Sequence, residues 1–159
     1  MTELRRYLFP GLCVLALVLA LHTMTLASGI FATLALEKLE IVTADGARHE
    51  FQVYIADTPE ARNRGLMYVT KLEPDHGMLF DFQAPQPVGM WMKNTPLSLD
   101  MLFIDAAGRI ARIEARTRPF STELISSGSE VLAVLEITGG RAAELGIAAG
   151  DRVAHRLFE

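Results

Sequence analysis

The sequence predicts a mainly β domain: a small antiparallel β-barrel with two short helices, preceded by an N-terminal hydrophobic helix. Three observations carry that expectation. Apolar and polar residues alternate in several short runs, as half-buried strands require. Turn dipeptides such as Asp45-Gly46 and Gly150-Asp151 separate the runs. No Gly-rich phosphate loop and no regular strand–helix alternation is present, which excludes the doubly wound nucleotide-binding folds. About seven or eight short strands fit a closed or nearly closed sheet, with a two-sheet sandwich as the second choice.

Residues 1–36 read as a signal peptide or an N-terminal membrane anchor. Arg5 and Arg6 precede an apolar run over residues 7–21, the charged and hydrophobic parts of an export signal. Thr25-Leu26-Ala27 offers a small-x-small cleavage site before Ser28. Apolar residues resume over 30–36, so the alternative is an uncleaved anchor long enough to span a bilayer. In both readings the arginines stay inside, and the rest of the chain is exported. It is then periplasmic or anchored to the outer face of the inner membrane. Cys13 is the only cysteine and lies in the middle of the apolar run, which does not fit a lipoprotein. No thiol remains for a disulfide, a nucleophile or a cysteine metal site in the domain.

Residues 37–159 read as a single β-rich domain. Residues 36–44 and 49–56 alternate around Asp45-Gly46, with Phe51, Val53 and Ile55 on one face, which predicts a hairpin. Thr58 can cap a short helix with Pro59 at its first position and an end near Gly65. Residues 77–82 and 88–93 read as two strands. Residues 97–104 and 109–115 form a second hairpin across the turn at 105–108. Residues 119–129 read as a polar loop, 131–138 as an apolar strand, 140–145 as a helical turn or two, and 152–157 as a last strand.

Charge narrows the partners. From Glu37 onward there are 13 Lys and Arg against 18 Asp and Glu, a net of −5 with His neutral. An acidic domain without a run of cations has no electrostatic reason to bind nucleic acid.

The segment 90–100, Met-Trp-Met-Lys-Asn-Thr-Pro-Leu-Ser-Leu-Asp, is the densest in chemistry. Trp91 stands beside Lys93, Asn94 and Thr95 at the bend before Pro96, the aromatic-plus-polar mixture of a small-molecule site. Turn chemistry and core packing explain the same residues without a ligand. Asp100 and Glu136 sit within apolar strands, and Glu136 shares a face with Leu132 and Val134. Such a carboxyl needs a cation, donors or a proton. It is therefore either half of a structural ion pair, for instance with Lys93, or a poised acid or base. Two acids on separate strands also raise the hydrolytic pair. Met90 and Met92 raise Cu(I) ligation by thioethers, although methionine equally packs an irregular core.

A series of short motifs runs along the domain. It begins with Ile55-Ala56-Asp57-Thr58-Pro59-Glu60, Arg64-Gly65-Leu66-Met67, Gly77-Met78-Leu79-Phe80 and Trp91-Met92-Lys93-Asn94-Thr95. Leu99-Asp100-Met101-Leu102-Phe103-Ile104, Ser126-Ser127-Gly128, Val134-Leu135-Glu136 and Gly150-Asp151 follow. In this order they resemble the domain of unknown function 192 family of bacterial and archaeal proteins over about residues 39–157. The resemblance implies a compact β-rich fold behind a signal peptide or membrane segment, and no particular activity. Met90 and Phe120 depart from the pattern, standing where an aromatic and a smaller residue are expected. Arg64, Trp91, Lys93, Asn94, Thr95, Asp100 and Glu136 are the candidate ligand-binding residues. The leading expectation is a non-catalytic binding or accessory domain for a small molecule, a glycan or an envelope partner, with no cofactor. The alternatives are an envelope hydrolase using Asp100 and Glu136, and a Cu(I)-binding protein using Met90 and Met92.

Overall fold

The structure, a computed structural model, describes residues 31–159. The leader expected over residues 1–36 lies almost wholly outside the described residues, among which no helix is long and apolar enough to cross a membrane.

The first hairpin forms as the alternation predicts. β1 (Leu36–Val42) and β2 (Arg48–Ala56) pair antiparallel from Leu36↔Tyr54 to Val42↔Arg48. The turn between them is closed by Gly46, at φ +87°, whose N–H donates to the Thr43 carbonyl at 2.9 Å. The chain then enters α1 (Pro59–Arg64), where Thr58 Oγ1 accepts the Ala61 N–H at 3.1 Å and Pro59 sits in the first turn. Gly65 ends the helix at φ +46°.

Helix α1 carries the chain back to the start of the sheet, so β3 (His76–Met90) runs parallel to β2, from Gln52↔His76 to Ala56↔Phe80. A parallel neighbour requires such a crossover. The expected all-antiparallel sheet is therefore corrected at this one pair.

The two strands expected over 77–82 and 88–93 are one irregular strand. β3 pairs antiparallel with β6 (Ile125–Thr138), and the register shifts between Asp81 and Gln86 and again between Pro87 and Gly89. Pro85 and Pro87 cannot donate to the ladder, and Gln83 turns at φ +65°. β6 also takes in the second half of the expected polar loop, residues 125–129, which is recruited by β3.

β4 (Leu99–Ile104) and β5 (Ile110–Glu114) form the second hairpin, turned by Asp105, whose Oδ1 accepts the N–H groups of Ala107 and Arg109 at 2.9 Å each. After α2 (Arg141–Glu144), β7 (Arg152–Ala154) pairs with β1. The last expected strand is thus three residues long, and Arg156–Phe158 is a 3-10 turn.

The sheet has seven strands in the order β5-β4-β6-β3-β2-β1-β7. It curls into a half-barrel, more open than the expected closed or nearly closed barrel. Its edges meet at one end, where Val153 N–H donates to Gly108 O at 2.7 Å and Ile110 N–H to Asp151 O at 2.9 Å.

Both faces of the sheet are buried. Leu79, Leu102 and Leu135 lie side by side on one, within a core that includes Phe51, Val53, Ile55 and Ala142 of α2. Phe80, Phe103 and Val134 lie side by side on the other. Gly65 rests against the latter face: a Cβ there would stand 3.1 Å from Phe80 Cζ. That second face carries Glu136.

Candidate functional site

A cleft of about 260 Å³ opens between α1, the chain just after it and the end of β3. Arg62, Arg64, Gly65 and Met67 form one side; Met90, Trp91, Lys93 and Thr95 form the other; Phe80, Phe82 and Glu136 line it from the sheet.

Glu136 is placed by register. It stands on β6 between Met78 of β3 and Met101 of β4, all on one face. Its side chain is buried and takes part in no hydrogen bond or salt bridge with another described residue. Burial among apolar neighbours therefore pushes its carboxyl up to about 8, so it is largely protonated at neutral pH.

Arg64 ends α1. Its Cζ lies 4.8 Å from the Tyr68 ring centroid, and its buried Nε donates to nothing among the described residues. A buried donor without an acceptor costs about 1–3 kcal/mol, so such groups invite explanation. Arg62 differs: its Nη1 donates to the carbonyls of Asp57 and Asp81, both at 2.7 Å. Lys93 Nζ lies 5.4 Å from the ring centroid of Trp91, which is half-exposed. Thr95 is buried, its hydroxyl donating to the Lys93 carbonyl at 3.2 Å.

The rim is strained. Among the described residues five non-glycines have positive φ, and three meet here: Tyr68 (65°), Asn94 (56°) and Phe120 (60°). Tyr68 N–H donates to Asn94 O at 2.8 Å, and Phe120 N–H donates to Thr95 O at 3.0 Å. Such residues cost about 1–3 kcal/mol each and gather at functional sites.

Of the residues expected from sequence, Arg64, Trp91, Lys93, Thr95 and Glu136 line one cleft. Asn94 stands behind its wall, with its carbonyl holding Tyr68 and its amide 3.9 Å from Met67 Sδ. Asp100 does not converge with them. It pairs with Ile137, not Glu136, and so faces the opposite side of the sheet. There it is fully buried. Oδ1 accepts the N–H of Arg116 at 2.7 Å and of Gly140 at 2.8 Å; Oδ2 accepts that of Ala142 at 2.9 Å. Asp100 thus holds three backbone segments together, and neither the Lys93 ion pair nor a hydrolytic pair with Glu136 forms. Met90 lines the cleft, but Met92 is buried with its sulfur accepting from Thr117 Oγ1 at 3.2 Å.

Sequence reading missed Arg62, Met67, Phe80 and Phe82 as walls. Alternation along β3 puts Phe80 and Phe82 on the face of Met78, but only the β3–β6 register brings that face to Glu136. A shallower hollow beside the first hairpin turn, lined by Arg48, Arg109, Asp151 and Arg152, offers less chemistry. The Asp151 carboxylate there already accepts from Ala44 N–H at 2.9 Å and Ala148 N–H at 2.7 Å.

Comparison with known proteins agrees with the architecture. The family model DUF192, described as Uncharacterized ACR, matches residues 40–155. No curated protein matches the chain. A crystal structure of a provisionally labelled transcription regulator from Sinorhizobium meliloti 1021 is 45% identical, with TM-score 0.75, over 76% of this chain and 94% of that one. A protein of unknown function from Novosphingobium aromaticivorans DSM 12444 is 35% identical, with TM-score 0.74, over 77% of this chain and 86% of that one.

Proposed function

The chain belongs to the DUF192 family, Uncharacterized ACR, and from that premise we propose that it is an exported binding domain that takes a small molecule into the cleft between Arg64, Trp91 and Glu136. One observation carries the reading. Glu136 is buried at the cleft without a protein partner, in a position where an apolar residue would stabilise the fold. The unpaired Arg64 Nε and the strained rim support it independently.

Binding is favoured over hydrolysis because the walls supply one carboxyl, three cations and aromatic surface, with no second acid or nucleophile–base pair beside Glu136 among the described residues. A cleft of about 260 Å³ suits a small molecule better than an extended glycan. The label of the Sinorhizobium meliloti relative is not carried over to this chain, because a domain of net charge −5 without a run of Lys or Arg gives DNA little electrostatic attraction. Export rests on the leader: Arg5 and Arg6 before an apolar run, with the domain released after Ala27 or held by the uncleaved segment.

Trp91 is the only tryptophan and lines the cleft, so its emission reports occupancy. Titration against a library of charged and neutral small molecules should give a saturable change without turnover. Arg64→Met and Glu136→Leu should each weaken it at least tenfold. A library without any saturable ligand, or variants that bind like wild type, would remove the reading.

A further inference from the structure

We propose that the ligand of this cleft is an amphiphilic carboxylate, whose –COO⁻ group enters between Arg64 and Glu136 while its apolar body lies across Trp91 and the rim. The proposal rests on the cleft being a ligand site and names what that site selects.

Polar demand comes first. Arg64 Nε–H is buried without an acceptor. Glu136, held protonated by burial, presents an O–H that likewise has no acceptor. Two unpaired donors on one cleft call for a ligand group with two acceptor oxygens, and a carboxylate has that form. Charge agrees. Arg62 and Arg64 come from α1 and Lys93 from the chain after β3, while the strands flanking Glu136 present uncharged Met78 and Met101. Asp100 is on the opposite face of the sheet. The cleft is therefore cationic within a domain of net charge −5. A cation would have to displace these charges; an anion complements them.

The apolar half of the ligand is read from the rim. Among the described residues the exposed large hydrophobics are Leu36, Tyr68, Trp91, Phe120 and Leu124. Apart from Leu36, each lines this cleft or touches a residue that does. Trp91 lines it. Tyr68 lies under the Arg64 guanidinium, Phe120 is bonded to Thr95, and Leu124 packs on Gly89, where a Cβ would stand 2.6 Å from its Cδ1. Exposed apolar surface gathered around a pocket marks a binding face.

Neutral Glu136 donates to the anion, whereas ionised Glu136 repels it. Affinity should therefore be flat between about pH 6 and 7, where the ligand carboxylate is ionised and Glu136 protonated, and fall about tenfold per pH unit well above 8.

The full chain is titrated with octanoate, octyl phosphate, octanol, octylamine and acetate, following Trp91 emission. Octanoate should bind saturably. Octanol should be at least tenfold weaker for lack of charge, and acetate at least tenfold weaker for lack of a chain. Arg64→Met should cost octanoate at least tenfold and leave octanol unchanged. Glu136→Gln, which keeps a donor, should bind octanoate at pH 7 and lose the fall above pH 8. Octyl phosphate binding as tightly as octanoate would overturn the carboxylate assignment. Octylamine binding more tightly, or octanoate affinity rising with pH, would overturn the ligand class while leaving the site in place. If no probe of any charge moves Trp91, the site reading itself fails.

Discussion

Asp100 and Glu136 lie one residue out of register on neighbouring strands, so their side chains leave the sheet in opposite directions. Asp100 meets three backbone N–H groups, two of them from Gly140 and Ala142 at the start of α2. Removing it leaves those donors buried without a partner. Asp100→Ala should therefore cost about 3–5 kcal/mol in chemical denaturation, given roughly 1.5–3 kcal/mol for each hydrogen bond to a charged group and some relaxation. A loss under about 1 kcal/mol would show that the contacts carry little. Glu136 acts the other way. The folded chain holds its proton more tightly than the unfolded chain, whose carboxyl titrates near 4.5. Stability should be highest below that pH and decline until Glu136 ionises near 8, a total loss of about 5 kcal/mol from this group. Denaturation between pH 5 and 8 should show the decline in wild type and a much flatter curve in Glu136→Gln; parallel curves would count against it. The alternation of Val134 and Glu136 was enough to place Glu136 among apolar neighbours. The three donors of Asp100 were not legible, because they come from Arg116, Gly140 and Ala142, distant in sequence.

The β3–β6 pair carries Glu136 and depends on a glycine. A Cβ at Gly77 would stand 2.7 Å from the Glu136 carbonyl oxygen, a backbone atom that cannot swing aside. Gly77→Ala should therefore cost about 2 kcal/mol or more, as overpacking does. Gly128, at φ +75° with nothing within 4 Å of its Cβ position, carries only a conformational penalty, and Gly128→Ala should cost about 1 kcal/mol. Thermal denaturation of the two variants checks the order; equal losses would contradict the close-approach argument. The hairpins were legible because Asp45-Gly46 and the Asp105 turn are local chemistry. The parallel β2–β3 pair was not, since nothing in residues 57–75 states which side of β2 the chain returns to. β3 misread as two strands for a related reason: Pro85 and Pro87 interrupt the alternation, while pairing with β6 continues on either side of the irregularity.

At the scale of the molecule, the half-barrel supplies a rigid sheet, and α1 with the strained segments around Tyr68, Asn94 and Phe120 builds a cleft onto one face of it. Five of the seven residues singled out from sequence line this cleft, because motif chemistry and burial pattern pointed to neighbouring strands and the helix end. The apolar rim was missed, since exposure of Tyr68, Phe120 and Leu124 follows from backbone geometry that their side chains do not announce. Export is a prediction at this scale too. A fusion of alkaline phosphatase after Leu36 should be active in cells, and an inactive fusion with the domain recovered in cytosol would contradict it. The most direct measurement of the central claim is a carbon-13 NMR titration of the Glu136 carboxyl in the free chain and with a saturating ligand of the cleft. The account predicts a midpoint near 8 in the free chain, moving upward when an anion binds. A free midpoint near 4.5, or one that the ligand leaves in place, would contradict it.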